Sequence, residues 1–363
     1  MKCVCDRAAL VDALTLVSRV TATRPSVQVL AGVRLESAAG HLRLAATDLE
    51  VSIATSVPAA VDEDGVHVVW ARTLLAIIRA LDSEDIELVS DGTALAIHSG
   101  ESRYRLTALP SDDFPDLPSL RGATRIELDS AEFVANVERV RPAASTDQSR
   151  PVYTGVRLTI EAGELTATAT DGYRLATTRC ALDGADVSID VLVPARALGE
   201  LARVPAAGGS LMLGVTENLV SFTIGEWQLT ARLLNGRPQG HERILAGTFV
   251  YRMPVPRIPL IRAVDRATLL ADRGRRVELA FAGDSLRVQA RSAETGDADE
   301  HIALGGPSPE LRIGFDARFL REGLELVEGE DAQFDMNDGL LPVVLRGRRD
   351  NFAYIVAPLR VSS

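Results

Sequence analysis

The sequence predicts an α+β protein built from three copies of one domain, each copy made of two halves of strand, helix and three antiparallel strands. Three observations lead there. The segment VLAGVRLESAAGHLRLAATDLEVSI from Val29 realigns on VYTGVRLTIEAGELTATATDGYRLAT from Val152, placing Gly32 on Gly155 and Asp48 on Asp171 at a common offset of 123 residues. An Ala-Arg pair opens a helical pattern at Ala71-Arg72, Ala195-Arg196 and Ala317-Arg318, so a more diverged third copy completes the chain. Along each copy the apolar period switches between that of helices and that of strands. A repeat of this length is a whole domain, not a solenoid turn.

The elements follow in order. Asp6 to Val20 places Leu10, Leu14 and Val17 at helical spacing after a short strand. Period-two strands are expected at Val33 to Glu36, His41 to Ala46 and Val51 to Val57, with Ala-Gly as the first turn signal. A strand near Val66 to Trp70 precedes a helix from Arg72 to Leu81 with Leu74, Leu75, Ile78 and Leu81 on one side. Ile86 to Ser90, Ala94 to His98 and Tyr104 to Leu109 finish the copy. The Pro- and Asp-rich connector Ser111 to Gly122 stops both patterns. The second copy has helices at Ser130 to Arg141 and Arg196 to Val204. The third has them at Pro256 to Asp272 and Ala317 to Val327, with strands from Val277 onward. The domain bounds read from this are 1–121, 122–247 and 248–363.

At 363 residues the chain suffices for two or three cores, and the repeat selects three of roughly 120 residues each. No apolar run approaches the roughly 18 residues that span a bilayer, and the start carries a helix pattern without a cleavable signal. The expectation is a cytoplasmic protein without membrane contact. Cys3, Cys5 and Cys180 lack paired CxxC spacing, which points to reduced thiols and to no metal. No cofactor is implied. The chain has no Walker loop, no Gly-x-Ser-x-Gly elbow and no His-Glu-x-x-His, and its five histidines are scattered. Asp48, Glu50 and Asp171 form candidate carboxylate groups, but in Ala-Thr-Asp turns they are expected to hold backbone amides. An enzyme is therefore not expected.

The formal charge of −11 argues against a surface that attracts nucleic acid as a whole. Lys2 is the sole lysine, so positive charge is carried almost entirely by arginine. That bias fits a GC-rich genome, and it also suits phosphate contact; composition does not separate the two. The helices do carry a local pattern. Arg72 and Arg79 are seven apart and share a face, Arg196 and Arg203 repeat the spacing, and Arg262 with Arg266 places charge on the third copy. Arg318 and Arg321 continue it, diluted by Glu322 and Glu325.

At this point the chain resembles the bacterial sliding clamps, the beta subunits of the replicative DNA polymerase. The resemblance runs over essentially the whole chain, in RPSVQVLAGVRL, AATDLEVSI, LTALPSDDFPDLP, RPVYTGVRL, ATDGYRLA, ETGDADE and YIVAPLRV, all in order. It implies DNA-clamp domains with helices inside and antiparallel sheets outside, two crescents closing head to tail as a homodimeric ring around double-stranded DNA. An acidic exterior and an arginine-lined hole then agree, since sliding needs phosphate attraction without base readout. The resemblance places Arg24 on DNA, and Arg72, Arg79, Arg139, Arg196 and Arg203 are the inferred lining. It places Tyr104 and Leu106 on one side of the dimer interface and Leu269 and Leu270 on the other.

The same resemblance implies a pocket between the second and third domains for a short peptide carried by polymerases, the clamp loader and repair proteins. Its motifs assign Tyr153, Thr170, Gly172, Tyr173, Arg174, Leu175, Ile244, Val343, Ile355, Val356, Pro358, Leu359 and Arg360 to that pocket. The chain departs from the pattern at Gln239, where a pocket proline is usual, at Tyr153 in place of leucine, and at Ala357 in place of methionine. Losing methionine deletes a flexible apolar wall, while tyrosine adds bulk and a hydroxyl. Two readings of these departures stand: a divergent or second clamp with altered selectivity for peptides or cyclic-peptide inhibitors, a change that would confer resistance, or ordinary drift within a lineage. The alternative is a clamp-fold scaffold that binds peptides without encircling DNA.

Overall fold

The computed structural model describes residues 1–22, 27–182, 187–204, 209–238, 242–271, 275–347 and 351–360. Arg24 and Gln239 lie outside the described residues. The first repeat runs β1 (Lys2–Asp6), α1 (Arg7–Val17), β2 (Gly32–Ala38), β3 (His41–Thr47), β4 (Val51–Glu63), β5 (Gly65–Trp70), α2 (Ala71–Ala80), β6 (Asp85–Ser90), β7 (Ala94–Ser99) and β8 (Ser102–Thr107). The second runs β9 (Thr124–Asp129), α3 (Ser130–Val140), β10 (Gly155–Glu161), β11 (Glu164–Thr170), β12 (Arg174–Ala181), β13 (Ile189–Pro194), α4 (Ala195–Leu201), β14 (Ser210–Val215), β15 (Leu219–Ile224) and β16 (Trp227–Arg232). After the short α5 (Glu242–Leu245), the third comprises β17 (Tyr251–Pro256), α6 (Arg257–Thr268), β18 (Arg276–Ser292), β19 (Gly296–Asp316), α7 (Ala317–Leu326), β20 (Asp331–Met336), β21 (Val343–Arg346) and β22 (Phe352–Val356). Each repeat is thus the anticipated alternation of strands and two helices.

The helices form where sequence supplies both an apolar stripe and a start. Asp6 caps α1, its carboxylate accepting from the Ala9 amide at 2.7 Å, and Leu10, Leu14 and Val17 are fully buried. Asp316 does the same for α7 through the Arg318 amide at 2.9 Å. On α2, Leu74 and Ile78 face the core while Arg72 and Arg79 stay exposed. The glycine shared by the first two repeats has a steric reason. A Cβ on Gly32 would sit 2.8 Å from Val68 Cγ1, and one on Gly155 would sit 2.9 Å from both Leu192 and Leu234.

The described residues form two compact units, Met1–Val134 with Arg196–Leu233, and Ala135–Ala195 with Leu234–Ser363. In the first unit a twelve-stranded sheet runs β8-β7-β6-β1-β4-β16-β15-β14-β9, with β2, β3 and β5 attached. In the second, eight strands run β13-β10-β11-β12-β22-β21-β20-β17, beside the β18-β19 hairpin. Both sheets therefore pass from one repeat to the next. β4 pairs antiparallel with β16 (Ser52 opposite Thr230), and β12 pairs with β22 (Leu175 opposite Ile355).

The third repeat differs from the expected separate strands. Its four strand segments run together into β18 and β19, which pair continuously apart from register shifts around Gly283. Gly283 has φ +61°, a conformation open to glycine at no steric cost, so the chain bends there without leaving the ladder.

Candidate functional site

Two equivalent turns precede the strands that cross between repeats. After β3, Asp48 Oδ1 accepts from the Glu50 amide at 3.1 Å and the Val51 amide at 2.9 Å. After β11, Asp171 Oδ1 accepts from the Tyr173 amide at 2.8 Å and the Arg174 amide at 3.1 Å. The preceding threonines match too, Thr47 Oγ1 donating to Val51 O and Thr170 Oγ1 to Arg174 O. These carboxylates hold amides rather than a reaction centre, as Asx turns do.

Beyond the turns the two junctions part company. At the second, Leu175 pairs with Ile355 and Ile355 with Val344, so the three share one face of the sheet. With Ala353 they form a buried cluster, against which Ile244, Leu245 and Phe249 pack while remaining partly open. This is an apolar groove with a partly exposed outer wall and a strand-built floor. At the first junction the equivalent positions are Ser52 and Thr230, with Gln228 opposite Ala54. A cleft of about 550 Å³ lies there, bordered by Arg34, Arg43, Asp112 and Asp116 under the 111–118 connector. It is larger than the cavities of roughly 280 and 500 Å³ flanking the apolar cluster, yet its floor is hydroxyl and amide. The floor of the second junction is therefore apolar where that of the first is mostly polar, and an apolar floor suits leucine and aromatic anchors.

Strand register corrects part of the expected pocket. Val343 pairs with Val356 and Val356 with Arg174, so Val343 and Val356 project to the face opposite Leu175. Both are fully buried, with Tyr354 on the same face. Val344, not the expected Val343, shares the face of Leu175, because alternation fixes faces only once register is known. It also missed Leu245, Phe249 and Arg150.

Arg150 belongs to the turn side of the groove, where its guanidinium lies 4.1 Å from the Tyr153 ring centroid. Gly172, at φ +94°, runs beside both: a Cβ there would be 3.2 Å from Arg150 Nη2 and 3.8 Å from Tyr153 Cε1. Thr170 is buried, whereas Tyr173 is 60% exposed and stacks on Phe319 at 6.5 Å. Ala357 and Pro358 are half-buried, and the Ala357 amide donates to Tyr173 O at 2.9 Å. The exposed Leu359 donates its amide to Gly314 O at 2.7 Å, with exposed Arg360 following.

Arg174 turns away from the groove. Nε contacts Asp171 Oδ2 at 3.1 Å, Nη2 donates to Pro142 O at 2.8 Å, and Nη1 is ion-paired with Glu322. The guanidinium also lies 4.4 Å from the Phe319 centroid. Tyr354 donates to Glu322 Oε1 at 3.2 Å. Burial pushes the Glu322 carboxyl up, opposed by Arg174 and the Tyr354 hydrogen bond; burial likewise raises Tyr354 well above the usual phenol range. For Arg174, burial works against the charge but is outweighed by Tyr354, Glu322 and Asp171, so its net shift is upward.

The expected lining arginines fall into two groups. Arg72, Arg79, Arg196 and Arg203 are exposed, although Arg79 donates to Thr15 Oγ1 at 2.8 Å, Arg196 pairs with Asp48 at 2.6 Å and Arg203 donates to Gly199 O. Arg139 departs from the expectation. It is half-buried, donates to Leu326 O at 3.1 Å, lies 3.6 Å from Glu328 and sits 4.2 Å over Phe352, so its charge is engaged inside its own unit. Tyr104, 43% exposed, and half-buried Leu106 lie on β8, the edge of its sheet. Leu269 is 80% exposed just past α6, and Leu270 is half-buried.

Among the described residues no group of three or more His, Cys, Asp or Glu is placed to hold a metal, and no helix is long and apolar enough to cross a membrane. Models for the N-terminal, central and C-terminal domains of the DNA polymerase III beta subunit match residues 1–118, 127–238 and 252–360. The beta sliding clamps of Streptomyces coelicolor and Caulobacter vibrioides are 31% and 32% identical, covering 100% and 99% of this chain and all of theirs. A protein described as beta sliding clamp homolog GriR, from Streptomyces muensis, is 30% identical over 98% of each chain. The crystal structure of the beta subunit from Pseudomonas aeruginosa superposes with a TM-score of 0.95 at 28% identity, covering 99% of this chain and 100% of that one. A further structure of the P. aeruginosa clamp, bound to griselimycin, also gives 0.95, at 27% identity over 99% of this chain and 100% of that one. The chain belongs to the DNA polymerase III beta subunit family, the bacterial sliding clamps, which are non-catalytic processivity factors of the replicative polymerase.

Proposed function

We propose that two copies of this chain close head to tail around duplex DNA and tether polymerases, the clamp loader and repair proteins through the apolar groove at the second junction. The observation that carries the reading is the recurrence of one junction. The last strand of the second repeat, β16, pairs with β4, and the last strand of the third, β22, pairs with β12. The last strand of the first, β8, is a sheet edge, and the corresponding segment of the third repeat, at the start of β19, pairs only with β18 among the described residues. One open edge of each kind is what a second copy joined head to tail requires. Charge supports the match, with Arg103 on β8 and Asp297 at the start of β19; Arg105, Asp299 and Glu300 are paired within the chain, with Asp91, Arg287 and Arg266.

The exposed Arg72, Arg79, Arg196 and Arg203, and Arg24 by resemblance, supply the DNA-facing charge in this reading; Arg139 is left out because its side chain is only 18% exposed and lies over Phe352. Phosphate contact without base readout permits sliding. The groove itself is proposed to be altered in selectivity. Tyr153, stacked under Arg150, fills the turn side where the resemblance leads one to expect leucine, and Ala357 opens the wall that the expected methionine would close. A clamp so changed would keep polymerase peptides while discriminating against cyclic-peptide inhibitors; the P. aeruginosa clamp with griselimycin bound supplies the cyclic peptide against which to test this. Titrating a linear clamp-binding peptide and griselimycin against this protein and the S. coelicolor clamp tests it. The ratio of the two affinities should shift toward the linear peptide here; equal ratios contradict altered selectivity.

A further inference from the structure

We propose that Glu322 of α7 is a positioning residue for the peptide groove, acting through Arg174 to fix the turn that borders the groove on the opposite face of the sheet. The inference rests on reading the apolar cluster at the second junction as the peptide site. Arg174 and Leu175 are adjacent on β12 and so project to opposite faces, which makes whatever holds Arg174 a constraint on the depth of Leu175. Three oxygens hold it: Asp171 Oδ2, Pro142 O and a carboxylate oxygen of Glu322. Asp171 in turn receives the amides of Tyr173 and Arg174 with its other oxygen, and Tyr173 O receives the Ala357 amide. A chain of contacts thus runs from the helix, through the guanidinium, to the two backbone segments that flank the groove.

The first junction serves as an internal control. There Val51 stands at the place of Arg174, and the outer oxygen of Asp48 is taken directly by Arg196 of α4 at 2.6 Å. The residue of α7 equivalent to Arg196 is Arg318, which pairs with Asp316 on its own helix cap at 2.7 Å and leaves the turn to Glu322. A direct ion pair at a polar junction is therefore replaced, at the apolar one, by a network with side chains only 12%, 13% and 26% exposed for Arg174, Asp171 and Glu322. Networks of this kind, satisfied on every member, rigidify what they hold.

Glu322→Gln removes the charge but keeps the shape and an acceptor, while Asp171 still compensates Arg174, so the protein remains folded. The full-length variant should bind a fluorescent pentapeptide with leucine and phenylalanine anchors about tenfold more weakly, the loss that follows when the binding-competent turn is populated roughly a tenth as often. Amide hydrogen exchange at Tyr173 and Arg174 should rise, with the thermal midpoint little changed. Glu322→Asp, which restores the carboxylate, should recover most of the affinity. Affinity within twofold of wild type for Glu322→Gln, equal losses for Gln and Asp, or a loss that simply tracks a fall in thermal midpoint would each overturn the assignment. Leu175→Glu in the same assay separates the underlying reading: if it leaves peptide binding intact, the groove is not the site, and if it abolishes binding while Glu322→Gln is silent, only the positioning role fails.

Discussion

Truncating Leu175 to alanine separates the two faces of the second junction. Leu175 is 2% exposed and packs with Val344, Ala353 and Ile355 beneath the partly open Ile244, Leu245 and Phe249. Buried leucine-to-alanine changes cost about 2–5 kcal/mol, and because the covering residues here are loosely buried the hole can relax or wet, which places this one at the low end, near 2–3 kcal/mol. For a folding unit of this size that lowers the thermal midpoint by roughly 5–10 °C. If a peptide anchor sits on the same side chain, it loses about half of a leucine's apolar contact, ~1–2 kcal/mol, or roughly 5- to 30-fold in Kd. Val343, fully buried but on the opposite face, is the matched control. Fluorescence anisotropy with a labelled peptide and calorimetry on both variants should show stability lost in each and affinity lost only with Leu175→Ala. Equal affinity in both variants would refute the assignment of faces.

Other consequences are open to direct measurement. Reversing Arg103 to glutamate on the β8 edge should shift the protein from dimer to monomer in sedimentation without changing its far-UV dichroism; an unmoved dimer would remove β8 from the closure. A Cβ on Gly323 would lie 2.5 Å from Tyr354 Cδ1, so Gly323→Ala should destabilise by about 1–3 kcal/mol through overpacking, read as a lowered thermal midpoint. Burial pushes the Cys3 thiol up to about 11 and Cys5 up to about 12. Both stay protonated as pH rises to 9, so a disulfide reagent at pH 8 should reach the half-buried Cys180 first and the other two only on unfolding.

Much of the fold was legible because it is local. The apolar stripes of α1 and α2, the Ala-Thr-Asp turns and the shared glycines each carry their reason in a few adjacent residues. The joining of repeats was not legible, since nothing near Val51 or Leu175 names β16 or β22 as a partner. The site divides the same way. Leu175, Ile244 and Ile355, named together through motifs, are gathered in one cluster, whereas Val343 takes the opposite face and Val344 the shared one, because a one-residue difference in register exchanges faces. Arg139 looked like its exposed counterparts in sequence, and only the packing against Phe352 and Leu326 sets it apart. Glu322 read as a dilution of positive charge on α7, whereas in three dimensions it holds Arg174.

The most direct test of the central claim is retention on DNA. The full-length protein, loaded onto nicked circular duplex and passed through a gel-filtration column in high salt, should stay with the circle and be released once the circle is cut to a linear form. Arg72→Glu with Arg79→Glu should weaken its salt-sensitive attraction to DNA while leaving that topological retention in place. Loss from the intact circle, with peptide binding preserved, would contradict an encircling clamp and leave a scaffold of the same fold.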